Sequence, residues 1–201
     1  MFRRHATDAL RALRPTAAER EASRLPVVVV LDNVRSAYNT GLVFRLCDCV
    51  NIAQLWLTGC TPYPGHNPHA DFHLRKTGVG GSLDVLPWRH LDDPAPELAA
   101  LKASGWRIVA VEQGAGSVPL AEADLSGPVA FIFGHERMGV GDALLALSDA
   151  VVELPVRGVS NSLNVALCAS AVLYAGLPTW LGVAGGPPPV TAVETDVHRG
   201  P

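Results

Sequence analysis

Short apolar runs alternate with helical stretches from residue 27 to residue 177, and that alternation is the strongest limit on the fold this chain can adopt. The run at 27–31, directly after Pro26, is rich in valine and of the kind found in strands buried on both faces. Strands are expected at about 27–32, 54–58, 83–87, 106–112, 128–133 and 150–155, and helices at about 39–50, 93–104, 140–147 and 162–177. The pattern predicts an α/β fold, a mostly parallel sheet flanked by helices. In such sheets ligands collect at the carboxyl ends of the strands, so the loops there are where function is to be sought.

The chain's 201 residues, 48% of them hydrophobic, suffice for one domain with a sizeable core. We read a basic helical arm at 1–24, with Leu10, Leu13 and Ala17 at helical spacing, a catalytic domain at 25–181 and a disordered tail at 182–201, where GGPPPV can bury little. No apolar run approaches the roughly 20 residues of a membrane span, and the arginine-bearing start has no apolar block behind it. A cytoplasmic protein with no membrane partner is expected. Cys47, Cys49, Cys60 and Cys168 form no CxxC pair, which argues for free thiols. His66, His69 and His73 share a Pro-rich loop without a matching ligand pair, so no metal is expected. A net charge of −3 excludes indiscriminate coating of nucleic acid, although the arm gathers Arg3, Arg4, Arg11, Arg14, Arg20 and Arg24.

Three loops carry more polar chemistry than turns need. The first, DNVRSAYNTG, places Asn39 where a helix N-cap belongs, Gly41 where another backbone can approach, and Arg45 within an apolar helix face. The second, GHERMGVG, follows the apolar strand PVAFIF and sets glycines around Glu136, which predicts a tight turn exposing amides and a carboxylate. The third, PVRGVSNSLN, offers Asn161 or Ser162 as the cap of the apolar helix behind it, with Asn164 then in the first turn; capping accounts for one of its polar residues and not for three. Neither GxGxxG nor GxxxxGK[ST] occurs, which disfavours a dinucleotide or phosphate-loop enzyme.

Together these segments resemble the SpoU–TrmH group of the SPOUT superfamily. Asn39, Gly41 and Arg45 match its first motif; Gly134, Glu136 and Gly139 its second; Pro155, Gly158 and residues 162–165 its third. Lys76, Thr77, Pro87 and Trp88 resemble its connecting region, and the likeness covers about residues 25–178. Arg137 stands where the family usually has glycine, and Leu154-Pro155-Val156 replaces Ile-Pro-Met.

The resemblance implies a SPOUT α/β-knot with a C-terminal deep trefoil knot, which no argument from spacing would yield. It implies transfer of a methyl group from S-adenosylmethionine to a ribose 2′-hydroxyl of tRNA or rRNA by a homodimer. It places Gly134, Leu154, Val156, Leu163 and Gln113 against the cofactor, and Arg45, Asn39, Glu136, Ser162 and Asn164 at the reacting centre. A guanidinium keeps its proton too firmly to be a good base, so Arg45 is expected to bind phosphate and steady an alkoxide, oriented by Asn39 and Glu136. The basic arm is expected to stand in for the RNA-binding domain many members carry. The alternative is a non-catalytic RNA-binding SPOUT dimer, which would have lost some of these polar residues.

Overall fold

A computed structural model describes residues 7–182. In chain order its elements are α1 (Thr7–Ala12), α2 (Ala17–Ala22), β1 (Leu25–Asp32), α3 (Ala37–Val50), β2 (Ile52–Thr58), α4 (Pro68–Thr77), α5 (Ser82–Val85) and β3 (Trp88–Leu91). They continue with α6 (Ala95–Ala103), β4 (Arg107–Val111), β5 (Val118–Pro119), β6 (Val129–Phe133), α7 (Asp142–Leu147), β7 (Ala150–Glu153) and α8 (Val165–Leu181). The strands form one sheet in the order β3-β2-β1-β6-β4-β7-β5, with every pairing parallel.

Parallel strands need helical crossovers, and those helices cover both faces. The two-residue strand period therefore divides each strand between two cores. Val27, Val29 and Leu31 pack with Phe131, Phe133 and the apolar sides of α3 and α8. Val28 and Val30 pack with Trp56, Ile132 and the apolar sides of α6 and α7. All eight residues of β1 are buried, as a run without polar alternation requires.

The expected strand at 83–87 is a correction. Residues 82–85 form the helical turn α5, which buries Leu83, and the strand begins at Trp88. A short apolar run has no period that separates strand from helix. Pro87 has no N–H for the ladder, and its carbonyl accepts from the Leu55 amide at 3.0 Å just before the strand starts. The single amphipathic helix expected over 1–24 is also corrected. Pro15 disfavours helix at the residue before it, so α1 and α2 are separate, Thr16 and Glu19 close a capping box on α2, and neither helix buries a residue. Residues 1–6 lie outside the described residues, as does the expected tail from 183 onward; α8 itself runs past the expected end at 177.

The arm docks at the amino edge of the sheet. Asn51 Nδ2 donates to the Arg20 carbonyl at 2.9 Å, and the Arg24 guanidinium donates to the Ile52 carbonyl at 3.3 Å. No described helix is long and apolar enough to cross a membrane.

Candidate active site

The carboxyl ends of β1, β4, β6 and β7 release the segments at 33–36, 112–117, 134–141 and 154–164, and a cleft of about 680 Å³ opens among the last three. Its shape is set by the loop at 134–141. The His135 and Gly139 amides and carbonyls pair reciprocally at 3.0 and 2.9 Å, and His135 Nδ1 accepts from the Arg137 and Met138 amides at 2.9 and 3.2 Å. Gly139 takes φ +71°, a region where a side chain is strained, and a Cβ on Gly134 would collide with the Gly139 and Val140 backbone. Arg137 sits in this turn without a positive φ, so the departure from the family's glycine costs the backbone nothing.

Three carboxylates strap that loop to the strand ends. Glu136 accepts the Arg35 and Ser36 amides at 3.2 and 3.3 Å, Glu112 accepts the Val140 amide at 3.1 Å, and Asp32 accepts the Gly141 amide at 3.0 Å. Glu136 therefore sits at the amino end of α3, where free amides and the helix dipole favour an anion. Partial burial pushes its carboxyl up, but its own amide, the Arg35 and Ser36 amides and the Asn39 side chain outweigh that and hold it below the usual carboxylate range. It is an anchored anion, not a poised base.

Two expected caps are corrected. Ser36 caps α3, its hydroxyl accepting the Asn39 amide at 3.2 Å, because a short side chain one turn earlier reaches the free amides. Asn164 caps α8, accepting the Ala166 amide at 2.9 Å, in place of Asn161 or Ser162. The freed Asn39 and the capping Asn164 then meet, Asn164 Nδ2 donating to Asn39 Oδ1 at 3.2 Å. Asn39 is buried, and because Glu136 accepts the Ser36 amide while the Ser36 hydroxyl accepts the Asn39 amide, Glu136, Asn39 and Asn164 join the loops after β1, β6 and β7 in one polar chain.

Of the residues singled out in the sequence, Glu136, Ser162, Asn164, Gly134, Leu154, Leu163 and Gln113 line the cleft. Asn39 touches it through Asn164, while Val156 is exposed outside the lining. Arg45 lies beyond the first turn of α3, exposed and outside the lining of its own chain's cleft. Glu136 was expected to orient Arg45; within the single chain its carboxylate accepts the amides at the head of α3. Glu112, which lines the cleft, and Asp32, which holds the Gly141 amide, were missed, although both stand at the carboxyl ends of buried strands, where ligands collect. Cys168 also lines the cleft, and its thiol is pushed up by burial and then by the negative charge of Glu112, which leaves it a poor nucleophile. Among the described residues no cluster of His, Cys, Asp and Glu could hold a metal ion.

These features define a doubly covered parallel α/β protein with a cleft at the carboxyl edge of its sheet, built from loops held to one another by hydrogen bonds. The model of the SpoU rRNA Methylase family matches residues 26–174, and the chain belongs to that family. A relative from Aquifex aeolicus named tRNA (guanosine(18)-2′-O)-methyltransferase is 27% identical over 168 residues, 82% of this chain and 74% of that protein. The solved A. aeolicus TrmH/SpoU tRNA modifying enzyme superposes with a TM-score of 0.68 at 25% identity, over 80% of this chain and 78% of that one. An AdoMet-bound rRNA methyltransferase from Sinorhizobium meliloti gives a TM-score of 0.67 at 26% identity, over 83% of this chain and 59% of that one.

Proposed function

We propose that this chain transfers a methyl group from S-adenosylmethionine to a ribose 2′-hydroxyl of RNA, with tRNA as its substrate. The observation that carries the reading is the polar chain from Glu136 through Asn39 to Asn164, which gathers the family's three motif loops around one cleft. Relatives named tRNA 2′-O-methyltransferases and an AdoMet-bound neighbour support the substrate and the cofactor.

The cleft fits such a cofactor. Its volume falls within the roughly 300–1,000 Å³ of small-molecule sites. Leu154, Leu163 and Phe133 give it apolar walls for a purine, beside polar Gln113 and the backbone of Gly134. When bound, the cofactor supplies an electrophilic methyl on a sulfonium sulfur. The residues of the chain do the rest by positioning, because an in-line displacement needs reacting atoms about 3–3.5 Å apart. Asn164 and Ser162 hold the third loop and the nucleotide. Glu136 fixes the second loop against α3. Arg45 binds a phosphate and stabilises the alkoxide that develops as the hydroxyl loses its proton to solvent.

Arg45 lies outside its own cleft, so the proposal includes a homodimer in which each chain's Arg45 serves its mate. Leu167, Tyr174 and Leu181 on α8 and Tyr38 on α3 are exposed, as Arg45 is, and exposed apolar side chains on these two packed helices are what an interface would cover. The trefoil knot belongs to the same proposal. The chain leaves β7, crosses the carboxyl ends of β4 and β6, and enters α8, whose Trp180 Nε1 donates to the Leu125 carbonyl at 2.7 Å between β5 and β6.

The test is methyl transfer from labelled donor to tRNA and to rRNA, followed by mapping of ribose methylation. Transfer to a single tRNA ribose is expected. Arg45→Gln should lower turnover by about 10²–10³ while donor binding persists. Absence of transfer to any RNA, or near-normal turnover by Arg45→Gln, overturns the assignment.

A further inference from the structure

Donor and product of methyl transfer are almost the same shape and differ in charge. The sulfur–methyl bond breaks with its electron pair remaining on sulfur, the ribose oxygen forms the new bond to carbon, and the hydroxyl proton leaves to solvent. A sulfonium thereby becomes a neutral thioether. A cleft that recognised shape alone would hold both equally and retain its product.

Glu112 gives this cleft a means of telling them apart. It is the first residue after β4 and lines the cleft. Its Oε1 accepts the Gln113 amide at 2.8 Å and its Oε2 accepts the Val140 amide at 3.1 Å, which fixes the carboxylate in place. Gly139 is pressed so close that a Cβ there would collide with the same carboxylate. Amides orient a charge without neutralising it, and among the described residues every ion pair is made by another acid. The field of Glu112 reaches across the cleft, since it helps push up the Cys168 thiol on α8. Glu136, the other acid of the lining, faces the amino end of α3, whose dipole offsets part of its charge, whereas no helix begins at Glu112.

Resting on the cofactor assignment above, we propose that Glu112 makes the cleft select its ligand by charge, favouring the sulfonium donor over the neutral thioether product and so promoting exchange after each turnover.

The test is calorimetric binding of S-adenosylmethionine, S-adenosylhomocysteine and sinefungin, an unreactive analogue with an amine in place of the sulfonium, to the full chain. The ratio of product Kd to donor Kd is the readout. Glu112→Gln should lower that ratio by about fivefold to tenfold, with sinefungin following the donor. Glu112→Asp, which keeps the charge on a shorter arm, should preserve the ratio even if it loosens the loop and weakens every ligand alike. Glu153→Gln, outside the cleft, should leave it unchanged. A Glu112→Gln variant that weakens donor and product equally, or an equal effect from Glu153→Gln, overturns the inference and leaves the cofactor assignment standing. Failure of the unaltered chain to bind any of the three ligands overturns both.

Discussion

Asn39 and Asn164 meet where α3 and α8 begin, and each does two things at once. Asn164 accepts the Ala166 amide and donates to Asn39, while Asn39 also serves Glu136. Aspartate caps a helix as well as asparagine does. Asn164→Asp should therefore change stability in denaturant by less than about 1 kcal/mol, yet set a carboxylate against the Asn39 oxygen and lower kcat by about tenfold or more. Asn164→Ala loses the cap as well and should cost about 1–3 kcal/mol in the same titration. Glu136 gives a pH signature. Its carboxyl is held low in the folded chain, so the stability it contributes is complete above the ordinary carboxylate range and is lost as pH falls through the lowered value. Thermal melts from pH 7 to pH 3 should show a shallower acid limb for Glu136→Gln than for the unaltered chain. The types and spacing of Asn39, Glu136 and Asn164 were legible in the sequence. Their division of labour was not, because which of several Ser and Asn side chains caps a helix depends on the angle at which the chain enters it.

The loop between β6 and α7 is held from three sides, and its glycines are what allow the holding. Gly139 takes a left-handed conformation and lies against the Glu112 carboxylate. Gly139→Ala should cost about 1–3 kcal/mol from backbone strain alone, and donor affinity measured by calorimetry should fall further than stability does. Retained affinity in a folded Gly139→Ala chain would show that the turn is not part of the binding surface. At this scale the sequence was read unevenly. Long valine-rich runs announced β1 and β6, since burial on both faces leaves a continuous apolar stretch. The strand expected at 83–87 is a helical turn at its start because a run as short as Leu83–Pro87 fits either period. Helix α4 was passed over although Asn67 caps it, accepting the Ala70 amide at 2.8 Å, and Pro68 opens it.

For the molecule as a whole, a parallel sheet with the cleft at its carboxyl edge followed from the alternation of strands and helices. The single-chain separation of Arg45 from the cleft did not, since spacing along α3 says nothing of which subunit's cleft a side chain serves. The proposed dimer makes the testable claim. Leu167→Glu with Tyr174→Glu should convert a dimer to a folded monomer in light scattering and abolish RNA methylation, with native circular dichroism retained because both side chains are exposed in the single chain, and the melting temperature should fall by what the dimer contributed. The arm adds a constraint of length. It is pinned where β1 begins, and the cleft opens where β1 ends, eight residues away. That strand spans roughly 25 Å. A polynucleotide that met Arg20 while being methylated in the cleft of the same chain would have to bridge that gap, which a stem or a folded elbow can do and an isolated dinucleotide cannot.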